Sequence, residues 1–316
     1  MSTKKSRRQF LKNLSILPVG IAVSGFLPNH KVLSKNQSIQ NGLDSKIKTS
    51  LNAWSYYQEL YKHLDGEKGG MSLFDMLEEC ARLDFDAVDP TGYFFPGYPD
   101  VPTRSFINEF KRRAFELGLD ISGTGIRNNF AAADETQRRE DIDLAKRWIE
   151  AAAEMGAPVI RVFAGEKPDG HSWNEASVWL SEALAECAEH GKEYGVIVGV
   201  QNHGGMLRTG HEVLNILEMA DSDWLGTIVD TGHFYSSNPY DDIEKVVPYA
   251  VNWQVKKLLK GRQGEEIDMN KLVGIIRDGG YRGYVPIETL PVPGNEEGYD
   301  AYTEVPNLLN KFRAAL

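Results

Sequence analysis

Four stretches of the 316-residue chain place polar side chains directly after an apolar run. They read Val200-Gln201-Asn202-His203-Gly204-Gly205, Val229-Asp230-Thr231-Gly232-His233, Trp253-Gln254-Val255-Lys256 and Pro286-Ile287-Glu288. Each supplies one oxygen donor: Gln201, Asp230, Gln254 and Glu288. Carboxylate and amide oxygens suit a hard or borderline divalent cation such as Mn, Mg or Co. Two carboxylates would neutralise that cation, and a hydroxyketone could take its open positions through two oxygens. Other side chains nearby could move a proton or bind hydroxyls. His203 can act as a general acid or base. Lys256 shares a strand face with Gln254 and could steady an enolate oxygen. His233, Arg161 and Arg127 are candidate substrate contacts, and Trp54, Tyr93, Phe94 and Phe95 offer aromatic faces for stacking. Plainer roles are open for each. Asp230 and Glu288 could be buried partners of Arg127, Arg161 or Lys256. The glutamines could orient other groups, His203 could support its loop, and the aromatic rings could be ordinary packing.

The elements that would hold these residues alternate regularly. Strand-like runs fall at Leu51–Trp54, Ala87–Val88, Ile121–Gly125, Val159–Phe163, Val196–Val200, Gly226–Val229, Val251–Val255 and Tyr284–Ile287. Helix-like stretches with apolar residues at three- and four-residue spacing fall at Ser72–Leu83, Arg104–Leu117, Thr136–Met155, Glu175–Tyr194, Gly210–Ala220, Asp241–Val247, Asn270–Asp278 and Ala301–Leu316. Gly118, Gly156, Gly195 and Gly279-Gly280 follow helices as candidate left-handed stops. Strict alternation implies parallel strands joined by crossover helices. Eight units fit an α/β fold closed as a single-domain (β/α)8 barrel, whose active site lies at the C-terminal strand ends. The four polar clusters then follow strands five to eight and share one rim. No G-x-G-x-x-G follows the first strand, which argues against a dinucleotide fold.

The N-terminus is of another kind. Ser6-Arg7-Arg8-Gln9-Phe10-Leu11-Lys12 precedes a modest apolar run from Leu14 to Leu27 that is too short to span a bilayer. The order of charge then apolar run resembles a twin-arginine export signal. The division expected is a leader at 1–30, a polar linker at 31–50 and the barrel at 51–316, with the mature protein in the periplasm. Net charge is −10, and residues 1–30 hold five basic and no acidic residues, so the body carries about −15. Such a body repels nucleic acid. Cys80 and Cys187 lie in helix-like stretches and read as separate buried thiols. The expected partner is a small sugar. No nucleic acid or membrane span is expected, and a homo-oligomer is left open.

Taken together, the four clusters resemble the xylose isomerase-like TIM-barrel family of sugar isomerases and epimerases, over roughly Leu51 to Leu316. That family shows Glu-Asn-His after strand 5, Asp-x-Gly-His after strand 6, a His in strand 7 and a Glu ending strand 8. The resemblance implies a metal set at Gln201, Asp230, Gln254 and Glu288 with Glu288 as the base, and His203 and Lys256 are the other catalytic candidates. Asp230 and Glu288 match, whereas Gln201 stands at the place of a Glu and Gln254 at that of a His. Glutamine does not take a proton at neutral pH, so the two-glutamate epimerase mechanism lacks one base. The implied activity is proton abstraction beside a sugar ketone leading to isomerisation, epimerisation or elimination, with a 3-keto-glycoside suiting an exported enzyme. The rival reading on this fold is a phosphodiesterase with a histidine-rich zinc site. Seven histidines and an acidic body disfavour it. A non-catalytic periplasmic sugar binder is the alternative from another class.

Overall fold

A computed structural model of the chain describes residues 46–316 except Gln263, Pro293 and Asn295. The leader and most of the linker lie outside the described residues. Strands are β1 (Lys46–Asn52), β2 (Ala87–Asp89), β3 (Asp120–Ile121), β4 (Thr124–Gly125), β5 (Val159–Phe163), β6 (Ile197–Gln201), β7 (Leu225–Asp230), β8 (Ala250–Gln254), β9 (Leu258–Leu259), β10 (Glu265–Glu266) and β11 (Arg282–Ile287). Helices are α1 (Tyr57–Leu64), α2 (Leu73–Arg82), α3 (Arg104–Glu116), α4 (Glu135–Met155), α5 (Trp173–Tyr194), α6 (Gly210–Ala220), α7 (Pro239–Val246), α8 (Met269–Asp278) and α9 (Ala301–Ala315).

Two parallel sheets, β11-β1-β2-β3 and β4-β5-β6-β7-β8, make the barrel wall. The third staggered strand is broken at Ser122-Gly123 into β3 and β4. Parallel bridges Thr91–Gly125 and Val255–Ile287 join the sheets at both seams. Backbone bonds Val255 N to Pro286 O (2.8 Å) and Glu288 N to Val255 O (2.9 Å) tie the last seam. Closure leaves no free strand edge in the wall, and it carries Glu288 to the side of the strand that bears Gln254.

The helices form where the apolar spacing places them, with end signals that satisfy their free N–H and C=O groups. Ser72, Ser172 and Thr209 make reciprocal capping boxes with Asp75, Glu175 and Glu212. Gly156 and Gly195 close α4 and α5 in the left-handed conformation, at φ 78° and 73°. On α4 the face Leu144, Trp148, Ala151, Ala152 and Met155 is buried against the wall. Among the described residues, no helix is long and apolar enough to cross a membrane. Cys80 and Cys187 are free, buried thiols.

Three local features differ from the sequence reading. β1 starts at Lys46, inside the expected linker, and ends at Asn52 rather than Trp54. Its first residues are only partly buried, so they lack the continuous apolar run by which a barrel strand is recognised. Trp54 lies instead in a 3-10 turn, Ala53–Tyr56, capped by the Asn52 side chain. Helix α1 and the β9–β10 hairpin were not anticipated. Both are short insertions at the C-terminal rim, where loops vary without disturbing the barrel.

Candidate active site

The C-terminal mouth of the barrel holds a cavity of about 350 Å3. Its wall includes Trp54, Arg127, Arg161, Gln201, His203, Gln254 and Glu288. With Tyr93, eight of the residues singled out in the sequence therefore line one space. A second recess of about 220 Å3 shares Phe163, Gln201 and His203 with it. A third, of about 460 Å3, lies across Glu288 and adds Lys256, Leu258 and Val292.

Strand geometry brings the four oxygen donors together. Gln201, Asp230 and Gln254 end β6, β7 and β8, and Glu288 follows β11 directly. Parallel pairing sets Asp230 opposite Gln254. Gln201 Nε2 donates to Asp230 Oδ2 at 2.6 Å and also to Gln254 Oε1. The amide must turn its N–H toward a carboxylate, so Oε1 is the atom left without a partner. Asp230 Oδ1 accepts from Gly232 N at 3.0 Å.

The centre of this cluster contains a side chain that the expected metal set did not place there. Lys256 is 3% exposed. Its Nζ contacts Glu288 Oε1 and lies 3.5 Å from Asp230 Oδ2. Asp230 is fully buried and Glu288 is 4% exposed. Burial alone would push the Asp230 carboxyl up, but the charges of His233 and Lys256 hold it well below the usual carboxylate range. The plainer reading of Lys256, as a partner of Glu288 and Asp230, is the arrangement found. Neither Arg127 nor Arg161 pairs with these acids.

Arg161 instead donates to Ile126 O and Tyr93 Oη, with its guanidinium 4.1 Å from the Phe163 ring centre. A Cβ at Gly125 would lie 2.8 Å from that guanidinium, so glycine is what admits the arginine there. Arg161 Nε has no partner, which leaves an N–H for a ligand. Arg127, exposed, stacks 4.8 Å over Tyr93. Trp54 lies flat against Tyr57, with ring centres 5.2 Å apart.

The two histidines separate in role. His203 lines the cavity. Although it is exposed, the protein packed around it and the neighbouring His233 hold its imidazole below its ordinary pKa. It is therefore neutral at pH 7 and can accept a proton or share its N–H, but it is no store of acid. His233 is 2% exposed, stacks on His203 at 4.3 Å between ring centres and sets Nδ1 2.8 Å from Asp230 Oδ2. It is not among the residues that line the cavity. The reason is that Asp-x-Gly-His curls back over Asp230 in a tight turn, and His233 follows it inward.

Two residues that the sequence did not mark as functional matter here. Lys260 borders both the main cavity and the third recess from the short turn Lys260–Arg262. A run of lysines after Trp253 was its one signal. Asp89, at the end of β2, accepts from Asn52 Nδ2 at 3.1 Å. Burial pushes its carboxyl up to about 6, against the pull of Asn52 and Arg161. A pKa raised in the folded state means the fold binds this proton more tightly than the unfolded chain. The benefit is complete below the unfolded value near 3.8 and is lost as pH rises through 6. The gap of roughly two units corresponds to about 3 kcal/mol at pH 8. Asp89→Asn is therefore expected to raise the thermal midpoint by several degrees at pH 8 and to leave it unchanged at pH 4. An equal shift at both pH values in calorimetry would contradict this origin.

The cluster can be tested as a metal site on its own donors. A divalent cation needs lone pairs directed at it. Around the meeting point of the four expected ligands, an ammonium and an amide NH2 point inward, and Asp230 and Glu288 already serve them. In this arrangement the donor set does not fit a divalent cation. His203, Asp230 and His233 do bring one ligand atom each within 4.8 Å of one another, and they form a possible metal site. That trio shares Asp230 with Lys256.

Known proteins give the arrangement a context. The family profile described as xylose isomerase-like TIM barrel matches residues 77–305. A 3-keto-D-glucoside 4-epimerase from E. coli is similar in structure, with TM-score 0.65, 17% identity, and coverage of 85% of this chain and 99% of that one. A D-psicose 3-epimerase from Clostridium cellulolyticum gives TM-score 0.65 at 18% identity, over 85% of this chain and 96% of that one. A D-tagatose 3-epimerase-like protein gives 0.65 at 21%, over 85% and 98%. At these identities the likeness is one of fold.

Proposed function

The chain belongs to the xylose isomerase-like TIM-barrel family, and from that membership we propose that it is a carbohydrate isomerase, epimerase or carbon–oxygen lyase. The reaction begins with removal of a proton from the carbon beside a sugar ketone. The observation that carries this reading is a single carboxylate, Glu288, on the wall of a cavity of about 350 Å3 otherwise lined by groups suited to a polyol. Structural neighbours named as sugar epimerases, one of them acting on a 3-keto-glucoside, support it.

Glu288 meets Lys256 through Oε1, which leaves Oε2 for proton transfer. Trp54 offers its face to a sugar ring. Arg161 and Arg127 supply N–H donors, and Gln201 Oε1 an acceptor, for hydroxyl groups. Lys260 is a further cation on the cavity wall, beside Arg127 and Arg161, that can meet the oxygen where negative charge develops. A second proton-transferring carboxylate is missing opposite Glu288, since Gln201 occupies that position. One base suffices for elimination from a 3-keto-glycoside. Glu288 takes the C2 proton, the electron pair forms the enolate toward the C3 ketone, and the C1–O bond breaks. The departing oxygen takes the proton back from Glu288. The products are the alcohol and a 2-hydroxy-3-keto-glycal. If the C3 enolate oxygen gains a proton while the C2 hydroxyl gives one up, the same base returning its proton to C3 yields the 2-keto isomer.

The twin-arginine motif supports a periplasmic location, where free glycosides rather than sugar phosphates are met. A divalent ion, Mn, Mg or Co, is the cofactor that the oxygen donors of the four clusters suggest. The poor fit of the four-residue ring keeps it out of the steps above.

The test uses methyl 3-keto-β-glucoside in D2O, followed by proton NMR. Loss of the H2 signal with release of methanol supports elimination, and H2 exchange alone supports isomerisation or epimerisation. Saturable binding with neither change favours the non-catalytic sugar binder. No binding and no exchange sinks the reading altogether.

A further inference from the structure

Lys256 stands where the two buried carboxylates converge, in contact with Glu288 and 3.5 Å from Asp230 Oδ2. The other groups aimed at those acids are N–H donors as well: Gln201 Nε2 at 2.6 Å and Gly232 N at 3.0 Å, both on Asp230. Gln254 Oε1 is also engaged by Gln201 Nε2. Three of the four expected ligands thus spend oxygen atoms on hydrogen-bond donors already inside the ring. Two carboxylates and one ammonium leave the ring itself with one negative charge, which the charge of His233 beside Asp230 offsets in part. Adding a dication would set three positive charges, before His233 is counted, against two negative ones among buried side chains, where charges are poorly screened. The trio His203–Asp230–His233 gives no escape. Asp230 Oδ2 faces His233 Nδ1 at 2.8 Å and the ammonium at 3.5 Å, so an ion bound there would lie beside Lys256.

We propose that Lys256 is a built-in replacement for the divalent cation, and that the site is assembled without a metal. The ammonium draws Glu288 and Asp230 to one point and supplies the fixed positive charge beneath the cavity floor. Gln201 and Gln254 belong to the same exchange. Neutral amides at those places add no further negative charge to the two carboxylates that one lysine must hold, and Gln201 furnishes an N–H to Asp230. Lys256 acts through Glu288 and is a positioning residue, since it does not border the main cavity. The catalytic meaning of the exchange rests on the function proposed above, but its test does not use turnover.

The experiment is a titration of the full chain, dialysed against EDTA, with Co2+ and Mn2+. Calorimetry and Co2+ absorption report binding, and thermal melts are run with EDTA and with about 1 mM metal. Wild type is expected to bind no stoichiometric ion and to melt at the same temperature in both. The variant Gln201→Glu/Gln254→His/Lys256→Met is expected to bind one Co2+ and to gain several degrees with metal, as a dissociation constant of about 10 µM would give at that concentration. One ion per wild-type chain at that affinity, on the ring or on the trio, overturns the proposal. So does a folded variant that binds none. If the variant does not fold, the wild-type titration decides alone. A metal-free chain that turns over no keto sugar would sink the functional reading and leave this one standing. A metal-loaded chain that turns over would do the reverse.

Discussion

Glu288→Gln is expected to lower kcat by about 10³-fold, within the range that general-base contributions span, while KM changes only a few-fold. Glutamine keeps the length and shape of the side chain, and its carbonyl oxygen can still accept from Lys256. What it loses is the ability to take a proton. The loss should therefore fall on the chemical step, with ligand binding and the barrel intact. Exchange of the substrate proton in D2O should slow by the same factor, because the same atom removes it. The variant leaves Lys256 with Asp230 as its remaining carboxylate, so some loss of stability is expected as well. Activity is accordingly compared well below the midpoint of the variant's melt. Full activity in the variant would remove Glu288 from the chemistry. Exchange retained with product formation lost would place it in the later step, as the acid that protonates the leaving oxygen.

Particular residues show how far the sequence could be read. The barrel was legible because period and punctuation agreed: apolar runs of strand length, helices with apolar residues at three- and four-residue spacing, and glycines at the stops. Asp230 and Glu288 were legible because a carboxylate at the end of a barrel strand has few reasons to be there other than chemistry. Lys256 was seen and its face was right, yet its depth was not. Alternation along a strand tells the side of a residue but not how far a four-carbon stem reaches into the barrel. The amide orientation at Gln201 was out of reach for the same reason. It follows from a contact with Asp230 that is 29 positions away in the chain. His233 looked accessible because it follows the sixth strand onto the rim. The fold over Asp230 that buries it is a tertiary fact. Lys260 belongs to a hairpin whose pairing with Glu265–Glu266 leaves no apolar alternation to find.

Lys256→Met should have the largest effect on stability of any single change in the site. Methionine fills the space of the stem but carries no charge, so two carboxylates that share one cation lose it. Breaking a buried ion pair in this one-sided way costs about 3–5 kcal/mol. At roughly 2–4 °C per kcal/mol for a domain of this general size, the midpoint at pH 7.5 should fall by about 6–20 °C. The pH dependence identifies the cause. In the wild-type protein Asp230 is held below its ordinary range, so its contribution is present above the unfolded value near 3.8 and fades as pH falls past it. Without the ammonium, burial and the nearby Glu288 push these carboxyls up. The folded variant then binds protons more tightly than its unfolded chain. Its stability should rise as pH falls from 7.5 toward 5, and the gap to wild type should narrow over that interval. Lys256→Arg keeps a cation but brings a wider, planar head into a closed space, so it should recover part of the midpoint while leaving kcat depressed through a displaced Glu288. A Lys256→Met protein that melts within about 1 kcal/mol of wild type, with the same gap at pH 5 and 7.5, would mean that the ammonium does not hold these acids together. The chemistry built on a fixed Glu288 would then have to be redrawn.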